Sequence, residues 1–109
     1  MTTTVIFLTS GSSWTVPSDW NATGASIEAI GAGGNGGNGS TTLGAGGGGG
    51  GAYSKITSPS HIGAGDTLTI QIGVAGGGGG STGDTYLKDN TSTTVLRARG
   101  GNSGSQTGN

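Results

Sequence analysis

Three glycine tracts, each beginning where an apolar β-type segment ends, constrain this chain more than any other feature. Residues 26–30 run directly into Gly31, residues 67–72 into Gly73, and residues 94–99 into Gly100. Of the 28 glycines in 109 residues, thirteen lie between Gly31 and Gly51, seven between Gly73 and Gly83, and four between Gly100 and Gly108. Glycine-rich sequence ordinarily encodes flexible linker. Here two of the tracts return to strands, so they are loops closed at both ends, and a linker needs no such registry. Were the three preceding segments to run in one direction, all the tracts would leave from one end of the fold.

An ordered state is open to such tracts. Extended glycine chains adopt a helix of three residues per turn, and neighbouring chains bond through their backbones where no side chain intervenes. The first tract carries that period: Ala32, Asn35 and Asn38 fall on one edge, with Thr41 continuing the series. The run from Gly46 to Gly51 has no side chain at all, as a chain surrounded by others requires. Gly47 and Gly78 are therefore expected packing positions, where valine would disrupt assembly.

Outside the tracts the chain reads as β protein. Residues 67–72 alternate most clearly, with Leu68, Ile70 and Ile72 on one face and Thr67, Thr69 and Gln71 on the other. Similar segments cover 5–9, 14–16, 26–30, 52–57, 85–88 and 94–99. In the last, Leu96 and Ala98 oppose Val95, Arg97 and Arg99. No window has a capped helical period. The expected fold is all-β: a small antiparallel β-sandwich with long glycine-rich loops of polyglycine II type, forming one domain over residues 1–109. Its core would comprise Ile6, Leu8, Trp14, Val16, Ile27, Ile30, Ile56, Leu68, Ile70, Ile72, Leu87 and Leu96. That is a thin core for a chain whose glycines lose the most backbone freedom on folding. Association into a homo-oligomer, or a neighbouring chain segment, is expected to supply the rest.

Function classes fall away quickly. Four Lys/Arg against five Asp/Glu give a net charge of −1, which is no field for nucleic acid. The four-residue apolar run from Val5 to Leu8 is too short for a signal peptide or for membrane insertion. Without cysteine there is no disulfide scaffold. Gly31-Ala32-Gly33-Gly34-Asn35-Gly36 matches the letters of the dinucleotide fingerprint, but glycine follows where a helix must open. Gly79-Gly80-Ser81-Thr82-Gly83-Asp84 resembles a calcium-binding glycine–aspartate repeat, yet occurs once and has Thr82 in place of glycine. Asp84 reads instead as a turn residue. His61 is the single histidine and the five acids are scattered, so no catalytic, cofactor or metal residues are assigned. Trp20 is the aromatic best placed to meet a surface ligand such as a sugar, and Trp14 reads as core. Arg97 and Arg99 read as a solvated or intersubunit face.

Taken in order, Trp14-Thr15-Val16-Pro17, Ile27-Glu28-Ala29-Ile30-Gly31-Ala32-Gly33-Gly34, Gly49-Gly50-Gly51-Ala52-Tyr53-Ser54-Lys55 and Thr67-Leu68-Thr69-Ile70-Gln71-Ile72-Gly73 span nearly the whole chain. This set resembles the glycine-rich domain of phage tail-fibre and related virion proteins. More distantly it is similar to tail-tip adhesins in which bundled polyglycine helices display receptor-binding loops. The resemblance implies a non-enzymatic virion structural protein, fibre or adhesin-like, on the tail or capsid surface of a phage particle. Its implied partners are other virion proteins, further copies of itself (a trimer being natural for a fibre) and a host cell-surface receptor. Relatives of this kind continue beyond a point like Gly100, so the chain also reads as the amino-terminal part of a longer protein. The alternative is a secreted surface, matrix or ice-binding protein, since glycine-helix bundles can present flat threonine-rich faces.

Overall fold

The computed structural model describes residues 4–38, 44 and 46–104. Thr41 and the residues after Gly104 lie outside that set. Among the described residues six strands form: β1 (Ser13–Thr15), β2 (Ser26–Ile30), β3 (Tyr53–Thr57), β4 (Thr67–Gln71), β5 (Thr85–Lys88) and β6 (Thr94–Ala98). They make two antiparallel sheets, one of four strands in the order β1-β4-β5-β6 and one of two, β2-β3. The fold is all-β, and its paired sheets are consistent with a small sandwich. Their positions follow the alternation in the sequence, because a two-residue side-chain period lets one face of each strand be apolar.

The core has two linked parts. Val16, Ile62, Leu68, Ile70 and Leu87 form the larger cluster, with Leu8, Trp14, Trp20, Ile27, Ile72 and Val95 packed around it. Ala29, Leu96 and Ala98 form the second, closed by Ile27 and Ile56. Ala29 from the small sheet meets Leu96 and Ala98 from the large one, so the small sheet sits against β5 and β6. Ile62 comes from a loop and holds Trp20, whose indole N–H donates to the Ile62 carbonyl at 3.2 Å.

Three expectations need correction. Residues 5–9 form no strand and make no backbone–backbone hydrogen bond among the described residues. Ile6 is exposed rather than core. Ile30 is exposed too, because alternation in β2 puts it on the outer face with Glu28, while Ala29 points inward. Its cross-strand partner there is Tyr53, whose hydroxyl donates to Glu28.

The β5–β6 hairpin turns through Asp89, whose Oδ1 accepts hydrogen bonds from the amides of Thr91 and Thr93 and from the Thr91 hydroxyl. Those donors hold its carboxyl below the usual range, the Thr91 side chain most of all. Ser92 completes the turn at φ 66. The described residues form a long body, 59 × 27 × 18 Å, with a radius of gyration of 17.3 Å, where a compact domain of this length would have about 13 Å.

Candidate functional site

The length comes from glycine. The β2–β3 hairpin does not end at Gly31; its register continues into the tracts. Gly31 donates to the Ala52 carbonyl, Gly34 to Gly49 and Gly37 to Gly46, each at 2.8 Å. The hydrogen bonds therefore recur every third residue. A third segment, residues 99–104, closes the group: the amides of Ala52 and Gly49 donate to the carbonyls of Arg99 and Asn102, and those of Gly101 and Gly104 donate to Ala32 and Asn35. The second segment thus runs antiparallel to the first and third, which are parallel to each other. Each segment bonds to both others, so the cross-section is a triangle. An extended chain with three residues per turn has this property, since it turns successive amides toward successive neighbours.

The spacing also dictates where side chains are forbidden. A Cβ at Gly31 or Gly34 would overlap the carbonyl of Arg99 or Asn102. At Gly48 and Gly51 it would overlap the carbonyls of Gly34 and Gly31, and at Gly101 and Gly104 those of Gly49 and Gly46. Each pair is three residues apart. Gly44, Gly47 and Gly50, also three apart, face open space. Gly47, expected to be a packing glycine, is not one within the chain: the inward phase of that run belongs to Gly48 and Gly51. Gly78 also has room around it, but its φ of +85 penalises any side chain by another route.

Asn35 and Asn38 take different surroundings on the edge where their spacing puts them. Asn35 is held on several sides: its amide donates to Ser103 Oγ, its carbonyl accepts from Gly104, and its side chain lies against Gly76. Gly76 in turn donates to the Gly33 carbonyl, and Ala32 to Gly83. The tract between β4 and β5 therefore braces the bundle from one side. Asn38 is exposed. All the tracts do leave one end of the sheets.

Asp84 pins this junction, a role its reading as a turn residue missed. Its side chain is 0% exposed. Oδ1 accepts from the amides of Gly80 and Gly100, both at 2.9 Å, joining two tracts far apart in sequence. Oδ2 has no aligned hydrogen-bond donor, and Arg97 Nε meets it as an ion pair at 3.2 Å. The Gly100 amide is the main cause that holds the Asp84 carboxyl below its ordinary value; burial opposes it, and Gly80, Arg97 and Arg99 reinforce it. Arg97 is half exposed and also lies over the Tyr86 ring, 5.5 Å from its centroid. Arg99 is exposed and lies against Gly79 and Gly80. The arginine face thus braces a glycine turn as well as meeting solvent.

Trp20 is half buried, edge-on to Trp14 with ring centroids 6.2 Å apart. Its packing and its bonded indole make it part of the body. His61 is exposed. Among the described residues no three His, Cys, Asp or Glu side chains are grouped to hold a metal ion, and no helix is long and apolar enough to cross a membrane.

Comparison with protein-family models, with curated proteins and with solved structures finds no match.

Proposed function

We propose that the chain is a non-enzymatic structural component of a phage particle, a fibre or adhesin-like protein in which a small β body carries a polyglycine II bundle. The observation that carries this reading is the three-residue hydrogen-bond register shared by residues 31–37, 46–52 and 99–104. A bundle of that kind is stiff without a hydrophobic core, because backbone groups do the packing that side chains do elsewhere. Such a rod projects from its base, which suits display at a particle surface. The ordered sequence resemblance to glycine-rich virion proteins supports the same reading, as does the tight junction at Asp84, which ties the bundle to the sheets. In this reading the chain assembles with copies of itself, as a trimer, beside other virion proteins, and meets a host receptor.

The test is mass spectrometry of purified phage-like particles from the source culture. Peptides of this chain in stoichiometric amount are expected. Their recovery only in soluble or cell-surface fractions would contradict the reading.

One observation favours the ice-binding alternative. Ser13 pairs with Thr69 and Thr15 with Thr67, and all four are exposed, giving a small flat hydroxyl face. Two short rows make a limited lattice, and thermal hysteresis at micromolar protein would be needed to prefer it.

A further inference from the structure

All five aromatic side chains of the chain line one cleft. Phe7, Trp14, Trp20, Tyr53 and Tyr86 come from well-separated parts of the sequence and meet around an open space of about 920 Å³, walled by residues 4–8 on one side and β2 on another. Trp14 and Trp20 are half-buried and pack against the larger core cluster, while Phe7 is 84% and Tyr53 57% exposed. Aromatic rings are the largest apolar groups a chain has, and a thin core would be expected to claim them all. Two left open beside two half-buried ones make a ligand cleft, and the volume lies at the upper end of the range of about 300–1,000 Å³ for small-molecule sites.

The polar groups around the rings decide what fits. Among the described residues that line the cleft stand two carboxylates, Asp19 and Glu28, and no Lys, Arg or His. An anionic ligand would be repelled there. Glu28 accepts from the Tyr53 hydroxyl, which fixes that ring beside a planar acceptor. The Asn21 Oδ1 accepts from the Thr23 amide at 3.0 Å, so its NH₂ group remains a donor. The indole N–H of Trp20 is engaged by Ile62, so that ring offers carbon alone. Aromatic faces bordered by carboxylate acceptors and an amide donor suit a molecule with an apolar face and a hydroxylated edge, which is the make-up of an uncharged sugar ring. A hydrocarbon would strip water from the polar border and give nothing back.

We propose that this cleft binds a neutral oligosaccharide, its rings stacked on Phe7 and Tyr53 and its hydroxyls bonded by Asp19, Asn21 and Glu28. Residues 5–8 then serve as a wall of the site, which suits an apolar run that makes no backbone–backbone hydrogen bond among the described residues. The proposal gives the host receptor a chemistry, an uncharged cell-surface glycan. It rests for that setting on the reading of the chain as a particle component, although the sugar site itself is a property of the fold.

A glycan array carrying neutral hexose and N-acetylhexosamine oligosaccharides beside sialylated, uronate-bearing and phosphorylated ones, probed with the full chain, reads the ligand class directly. Binding is expected for neutral members alone. Titration with the best of them should change the fluorescence of Trp14 and Trp20, since both line the cleft. Phe7→Ala and Tyr53→Ala are each expected to weaken binding about tenfold, the worth of one stacked ring. Phe7→Ala should keep the wild-type unfolding midpoint, since Phe7 belongs to neither core cluster. Val74→Ala removes an exposed apolar side chain that does not line the cleft and should change nothing. No glycan bound, binding confined to acidic glycans, or neutral binding that survives both aromatic substitutions would overturn the proposal. Recovery of the chain in particles without glycan binding would leave the particle reading standing and remove the sugar site. Glycan binding by a chain found only in soluble fractions would keep the site and remove its setting.

Discussion

The β body and the glycine bundle are held together by opposite means. In the body, Leu68 and Val16 are fully buried because their side chains fill space between sheets, and specificity comes from shape and apolar area. In the bundle, Gly34, Gly51 and Gly101 stand where no side chain fits, because a neighbouring carbonyl lies where a Cβ would be. The body can therefore absorb a conservative change by repacking. The bundle has nothing soft to move, since the obstacle is backbone. Its tolerance should switch from full to none between adjacent residues, on a period of three rather than two.

The contrast can be broken from either side. Leu68→Ala should have the largest effect, about 4 kcal/mol from lost burial and an unfilled cavity, seen as a lower denaturation midpoint for body and bundle together. Loss of the body with the bundle intact would show that the two are not coupled.

The coupling itself is tested at Asp84, whose removal should rank next. Because its folded pKa is depressed, its stabilising contribution is full above the unfolded carboxylate value, about 3.9, and is lost as pH falls through the lower folded value. Asp84→Asn should therefore lower Tm at neutral pH, and the gap from wild type should close in acid. Hydrogen exchange should show Gly80 and Gly100 losing protection first. A pH-independent gap would remove the charge from the account.

The smallest effect sharpens the β side alone. Ser92 holds φ 66 in the β5–β6 turn, a conformation costly for any residue with a Cβ. Ser92→Gly should stabilise by about 0.5 kcal/mol after the entropic cost of glycine. A clear loss in calorimetry would mean that the serine side chain matters more than its backbone.

Much of the body is legible in the sequence because side chains carry phase. The alternation of Thr67, Leu68, Thr69 and Ile70 predicts β4 and its buried face, and Leu96 with Ala98 does the same for β6. Alternation speaks of faces, though, and not of partners. Residues 5–8 look like a strand and make no backbone–backbone hydrogen bond among the described residues, while Ile62 joins the core from a loop with no periodic signal. In the bundle the three-residue spacing of Ala32 and Asn35 is readable, and the structure places their carbonyls on the third segment. A run of six glycines has no phase, so nothing in it distinguishes Gly47 from Gly48. Asp84 was hidden for another reason: its partners Gly80 and Gly100 are brought to it by the fold, and an aspartate before a strand ordinarily reads as a turn.

The three-residue register of the bundle is read out by an alanine series across the bare run, Gly47→Ala, Gly48→Ala, Gly50→Ala and Gly51→Ala, followed by thermal unfolding. Losses of about 3 kcal/mol are expected at Gly48 and Gly51, from overpacking against backbone. At Gly47 and Gly50 no loss is expected, and a gain of about 0.5 kcal/mol where the backbone suits alanine. Equal effects at all four positions, or alternation with a period of two, would contradict a three-residue bundle.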